Sequence, residues 1–264
     1  MICFETRISR PKDIEKATKM KAGRTQKQKP TGVPTRYSHA YTVVVALFVT
    51  CLITANIMSV KLINVFGLVL PAGILIFPIS YITGDVLTEV YGYTQARRAI
   101  WLGFFCNLLV VIAIWLGKVM PPAGFWQGQA AYEFILGYTP RLLFASFLAY
   151  LAGEFLNAFV MAKMKILTKG RWLWTRTISS TVVGQGLDSL VFITLAFGGM
   201  IPVKALALAI IAQWLVKSAY ETIATPLTYV SVHFLKKHEC LDVYDYHTRF
   251  NPLFIGKYKL RSSK

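Results

Sequence analysis

The chain has 264 residues and a formal net charge of +17, yet only 16% of its residues are charged and 55% are hydrophobic, where a soluble domain carries about 25% charged residues. Most charges lie outside long apolar stretches, which excludes an ordinary soluble domain and points to helices that satisfy their backbone groups internally in lipid. The roughly ten-residue alternating segments of a transmembrane β-barrel are missing.

Residues 1–36 hold ten of the twenty-nine Lys and Arg. With few aromatics and little periodicity, this segment is predicted to be a disordered tail against an anionic membrane surface rather than a nucleic-acid arm. No apolar core follows its charges before residue 41, so it does not read as a signal peptide. A span needs roughly 20 apolar residues, and the first is predicted at 39–58. A short segment, 61–70, follows with a break at Gly67. The second helix is expected at 71–91, with Pro71 in its first turn, and the third at 96–117. The loop 118–139 carries Phe125, Trp126 and Tyr132 and suits the membrane interface. Further helices are expected at 140–163, 177–197 and 202–235, the last kinked or ended at Pro226. The fold class is therefore all-α: a polytopic transmembrane helical bundle of about six spans. The expected organisation is a basic cytoplasmic tail at 1–36, a six-helix domain at 37–235 and a polar cytoplasmic tail at 236–264. No internal repeat is evident.

Loop charge sets orientation. Arg97, Arg98, Lys163, Lys165, Lys169, Arg171 and Arg176 fall on the side of the N-terminus, and Lys61, Lys118, Arg141 and Lys204 on the other. The C-terminal segment adds Lys236, Lys237, Arg249, Lys257, Lys259, Arg261 and Lys264 to the first side. Both termini are thus expected in the cytoplasm.

Ionisable groups inside spans are costly and mark functional sites by default. Here they are Asp85, Glu89, Glu154, Asp188, Lys217 and Glu221. Asp85 and Glu89 share one face of the second helix at i, i+4. Glu154 and Asn157 lie at i, i+3 on the fourth, Gln185 and Asp188 at i, i+3 on the fifth, and Lys217 and Glu221 at i, i+4 on the last. In lipid these stripes must face a shared interior. Plainer roles stand beside this one: Lys217 with Glu221 as an intrahelical ion pair, Glu89 paired with Arg97 or Arg98, Asp85 as a packing brace. Gly184 and Gly186 suit close helix packing better than phosphate binding, because no strand precedes them.

Catalytic motifs are missing: no His-Glu-x-x-His, no Gly-x-Ser-x-Gly and no phosphate-binding loop. Neither the histidines (His39, His233, His238, His247) nor the cysteines (Cys3, Cys51, Cys106, Cys240) have metal-ligand spacing. No catalytic residue, metal or cofactor is expected.

The stretch Phe77-Pro78-Ile79-Ser80-Tyr81-Ile82-Thr83-Gly84-Asp85-Val86-Leu87-Thr88-Glu89-Val90-Tyr91-Gly92-Tyr93, followed by Ala96-Arg97-Arg98, resembles the queuosine precursor transporter family of six-helix membrane proteins. Ala55-Asn56-Ile57, Gly153-Glu154-Phe155-Leu156-Asn157, Gly184-Gln185-Gly186-Leu187-Asp188-Ser189, and Lys217 with Tyr220-Glu221 and Pro226 are also similar to it. The resemblance covers about residues 40–235. It implies a transporter in the cell inner membrane that imports a deazapurine base, 7-cyano-7-deazaguanine and/or 7-aminomethyl-7-deazaguanine, for queuosine modification of tRNA. It further implies that the chain is not an enzyme, and that its partners are this small molecule and the bilayer, with no nucleic acid. A homodimer is one option for its oligomeric state. The family is similar to substrate-binding subunits of energy-coupling-factor vitamin transporters, which gives the alternative of a substrate-capturing subunit needing an ATPase partner. Those subunits often carry Ala-x-x-x-Ala on helix one, where this chain reads Ala46-Leu47-Phe48-Val49-Thr50.

The residues fit such a substrate. A guanine-like edge offers a ring N–H and an exocyclic amine side by side, and one carboxylate accepts both. Glu154, Asn157, Gln185 and Asp188 are the expected substrate-binding residues, with Phe77 and Tyr81 against the planar base. Asp85, Glu89, Lys217 and Glu221 are expected to form a separate gate or coupling network.

Overall fold

The structure, a computed structural model, describes residues 38–65, 68–137, 140–246, 248 and 250–252. The basic segment 1–36 and residues 253–264 lie outside the described residues. Helix α1 spans His39–Met58, and a two-stranded antiparallel hairpin follows, β1 (Leu62–Val65) with β2 (Leu68–Pro71). A short 3₁₀ turn, Ala72–Leu75, leads into α2 (Phe77–Tyr91). Then come α3 (Tyr93–Val119), the short α4 (Gln129–Leu136), α5 (Pro140–Leu167), α6 (Leu173–Phe197) and α7 (Val203–Glu239).

Four of these helices, α1, α3, α6 and α7, and the run that contains α5 are long and apolar enough to cross a bilayer. The protein is a multi-pass helical membrane protein. Helix α2 is different. It has 15 residues, about 22 Å at 1.5 Å per residue, and every residue from Ser80 to Tyr93 is buried. It packs against α1, α3, α5 and α7. Because protein surrounds it, its polar residues need not face lipid, and it can carry Asp85 and Glu89 at the centre of the bundle.

The second helix therefore begins later than the sequence suggests. Pro78, not Pro71, stands in its first turn. Residues 72–75 are held against the end of α1: a Cβ at Gly73 would lie 2.5 Å from the Ala55 carbonyl oxygen, too close for any side chain. At the other end, Gly92 joins α2 to α3 with φ 83° and ψ 165°, a conformation essentially restricted to glycine.

The segment after α7 is polar in composition, but its described residues form a strap across the α2–α3 junction. Asp245 Oδ2 accepts the Tyr93 backbone N–H at 2.9 Å, placing a carboxylate at the N-terminus of α3, where the helix dipole favours it. The Tyr93 hydroxyl donates to Phe250 O at 3.1 Å, Arg97 to Asn251 O at 2.8 Å, and the Trp101 indole to Pro252 O at 2.9 Å. Helix α7 runs unbroken through Pro226 for 37 residues.

Candidate functional site

The site begins with two glycines. Helices α5 and α6 are the most closely packed pair in the bundle. A Cβ on Gly184 would lie 2.8 Å from Asn157 Cβ and 3.0 Å from Gly153 O; one on Gly153 would lie 2.8 Å from Asp188 Cβ. Only hydrogen at both positions allows this approach, the small-residue packing expected in membranes. It sets Glu154 and Asn157 of α5 beside Gln185 and Asp188 of α6. Gly186 instead faces the Trp214 indole of α7, which is 3.4 Å from where a Cβ would be.

Around this crossing α2 and α7 add their polar faces. The Asn157 amide donates to Asp85 Oδ1 at 3.0 Å. Lys217 donates to Asp188 Oδ2 at 2.5 Å, an ion pair across α6 and α7. The Thr181 hydroxyl donates to Glu221 Oε1 at 2.7 Å. Phe77 and Tyr81 sit with ring centres 5.1 Å apart, and the Lys217 ammonium lies 4.9 Å from the Phe77 ring centre. The Glu154 carboxylate lies over Gly84, 3.4 Å from where a Cβ would be. It is within electrostatic reach of Asp85, Asp188 and Lys217.

Several polar atoms here lack a partner. Glu154 is 5% exposed, and no hydrogen bond reaches its carboxylate among the described residues. Asp85 Oδ2, Asn157 Oδ1, Glu221 Oε2 and Ser189 Oγ are buried without a hydrogen-bond partner, as are both polar atoms of Gln185. The Gln185 amide stands within hydrogen-bonding reach of Tyr81 and Glu221, but in poor geometry for a bond to either. Buried polar groups are paired in most proteins, so a cluster of exceptions calls for an explanation.

Glu89 belongs to a second cluster, nearer the strap. Arg176 grips it in a two-pronged bond, Nε to Oε2 at 2.8 Å and Nη2 to Oε1 at 2.7 Å. Lys236 donates to Oε1 at 2.5 Å, and Lys165 stands 3.6 Å from the same oxygen. Lys165 and Lys236 also reach Asp242 Oδ1 at 2.6 and 2.8 Å. Burial opposes ionisation of Asp242, but the hydrogen bonds and charge of these two lysines outweigh it and hold its carboxyl below the usual range. Glu89 and Arg176 are 0% and 1% exposed at their side chains. Buried hydroxyls of α6 (Thr177, Ser180 and Thr181) lie along that helix between Arg176 of this cluster and Gln185 of the central one.

The sequence-based grouping is corrected in three ways. Glu89 pairs with Arg176, Lys236 and Lys165 rather than Arg97 or Arg98, because α5, α6 and α7 each bring a cation within ion-pairing distance of it. Lys217 pairs with Asp188 rather than Glu221, since its helix turns it toward α6. Asp85, Lys217 and Glu221 consequently stand with Glu154, Asn157, Gln185 and Asp188 in one interior, while Glu89 stands apart. Arg176 and Lys165, counted as loop charges, are buried helix residues. The signal that could have found them is Glu89 itself: a carboxylate sealed in a bundle requires cations from neighbouring helices.

The central cluster is thus a buried, acid-rich interior with unpaired donors and acceptors and an aromatic wall. It can bind a small polar solute, and its helices carry the groups to re-pair around one. Residues 71–231 match the family described as "Putative vitamin uptake transporter". A "Probable queuosine precursor transporter" of Bacillus subtilis is 31% identical over 188 residues, covering 71% of this chain and 82% of that protein. The "Queuosine precursor transporter" of Escherichia coli is 29% identical over 153 residues, covering 58% and 66%. A "Probable queuosine precursor transporter" of Haemophilus influenzae is 28% identical over 145 residues, covering 55% and 59%. No solved structure matches. The family and these relatives are transporters and not enzymes, and the family match takes in the whole central cluster together with Glu89, Lys165 and Arg176 of the second: the chain belongs to the "Putative vitamin uptake transporter" family.

Proposed function

We propose that this chain imports queuosine precursors, 7-cyano-7-deazaguanine, 7-aminomethyl-7-deazaguanine or both, across the inner membrane, with both its termini in the cytoplasm. The observation that carries this reading is Glu154: a carboxylate 5% exposed, at mid-span, with no hydrogen bond to it among the described residues. A guanine-like edge supplies the two adjacent N–H groups such a carboxylate lacks. Gln185 and Asn157 have amide atoms to spare for the ring carbonyl and remaining edge. Phe77 and Tyr81 offer ring faces to the planar base. A site whose polar groups are completed only by the right edge rejects bases that lack it. The relatives' names support the same substrate class.

In this reading the Glu89 cluster closes the interior on the side of the strap, where Glu89 is fully buried. Asp188 and Lys217 retain 12% and 19% side-chain exposure, so the opposite side is the more open. Asp85, Lys217 and Glu221 line the binding region and re-pair as the helices rock, which makes them the coupling elements. The test is uptake of labelled 7-deazaguanine bases by cells unable to synthesise queuosine, with and without this gene. Accumulation only with the gene is expected; equal accumulation without it rejects the reading.

A further inference from the structure

Among the described residues, the central interior contains four buried carboxylates, Asp85, Glu154, Asp188 and Glu221, against a single ammonium, Lys217. Two features show where a second cation would sit. Asp188 and the Phe77 ring together hold the Lys217 ammonium, at 2.5 Å and 4.9 Å respectively. A carboxylate and an aromatic face converging on one point form an ammonium site. Glu221, four residues along α7 from Lys217, has an oxygen, Oε2, that is buried without a partner. Residues at i, i+4 on a helix are within ion-pairing reach. Lys217 therefore has two available carboxylates: Asp188, which it holds in this conformation, and Glu221.

We propose that Asp188 and Phe77 are an ammonium subsite beside the base-reading carboxylate, that Lys217 occupies it as a tethered stand-in, and that a substrate bearing a primary ammonium displaces Lys217 onto Glu221. This rests on the reading of the chain as a deazapurine importer and narrows it: the preferred substrate is the aminomethyl base rather than the neutral cyano base. Displacement leaves both ammonium groups paired. The substrate ammonium takes over the Asp188 bond and the Phe77 face, and the lysine completes Glu221. It also removes the ion pair that ties α6 to α7, so arrival of the correct substrate releases one helix contact and makes another within α7, one turn before Pro226. A neutral nitrile leaves the Lys217–Asp188 pair in place and gains neither contact. Since transporters act by such differential contacts in two states, the amine would favour both binding and turnover.

The test is equilibrium binding of labelled 7-aminomethyl-7-deazaguanine and 7-cyano-7-deazaguanine to the purified full chain in nanodiscs, at pH 7. One charge-assisted hydrogen bond discriminates by roughly ten- to hundred-fold, and the aminomethyl base should bind tighter by a factor in that range. In Asp188→Asn the ratio of the two affinities should fall toward one, whatever happens to either affinity. The wild-type comparison needs no variant to fold. In Lys217→Met, where no stand-in competes, the ratio should rise above that of wild type. Equal affinities in wild type, or an unchanged ratio in Asp188→Asn, overturn the subsite while leaving the importer reading intact. Binding of neither base overturns both.

Discussion

Gly153 and Gly184 are in backbone contact, with the position of a Gly184 Cβ only 3.0 Å from Gly153 O. The two helices that carry Glu154, Asn157, Gln185 and Asp188 meet there, so the geometry of the central cluster depends on two residues that have no functional groups.

Gly184→Ala should force α5 and α6 apart at Asn157, whose Cβ would be 2.8 Å from the new methyl. Overpacking of this kind costs about 1–3 kcal/mol. We expect a lower thermal midpoint in detergent and lost uptake. Gly124→Ala is the control, since no atom lies within 4 Å of the added methyl; it should match wild type. Equal midpoints for the two variants would contradict the crossing described here.

Glu89 and Arg176 should behave as one unit. Removing Glu89 leaves the buried Arg176 without its carboxylate, at a cost of about 3–5 kcal/mol; removing Arg176 should cost less, because Lys236 and Lys165 still face Glu89. The double variant Glu89→Gln, Arg176→Gln should be less destabilised than the sum of the singles, as read from thermal unfolding of the purified chain. Additive losses would show that the two groups do not interact. If the cluster is also the closure, Glu89→Gln protein that does fold should bind the base but fail to accumulate it.

The strap should respond to acid. Asp242 is held below the usual carboxyl range in the folded protein, so the stabilisation it gives is fully present above its ordinary value of about 3.9. It is lost as pH falls through the depressed folded value. Hydrogen exchange in residues 241–246 should accelerate in that acid range and not between pH 5 and pH 8. Asp242→Asn should remove the transition; a transition that persists in the variant would assign it to another group.

Much of the fold is legible in the sequence because lipid imposes a simple rule of length and apolarity. Helix α1, predicted at 39–58, has those bounds. Helix α2 was harder. Its apolar run continues back to Pro71, and no local signal distinguishes a first-turn Pro71 from the strand end it is; contact of Gly73 with α1 decides it. The candidate residues were legible one by one as polar groups at mid-span. Their pairing was not. Periodicity shows that Lys217 and Glu221 share a face, but only the packing of α6 on α7 shows that the lysine reaches Asp188. For the same reason the partners of Glu89 come from α5, α6 and α7, more than seventy residues away along the chain.

Loop charge predicts the proposed orientation. Reporter fusions at Gly128 and Gly199 should read external, and those at Gly170 and the C-terminus internal. An external C-terminus would reverse the proposed side of the Glu89 closure.

The most direct measurement is binding of labelled 7-cyano-7-deazaguanine, which carries no ammonium, to the purified full chain and to Glu154→Gln. The substitution keeps the shape of the side chain but removes the double acceptor. A charged hydrogen bond of this kind is worth about 1.5–3 kcal/mol, so affinity should fall by roughly ten- to hundred-fold, with thermal midpoint no lower than that of wild type. Equal affinity in wild type and Glu154→Gln, or no binding to wild type at all, would contradict the assignment of Glu154 as the group that reads the base.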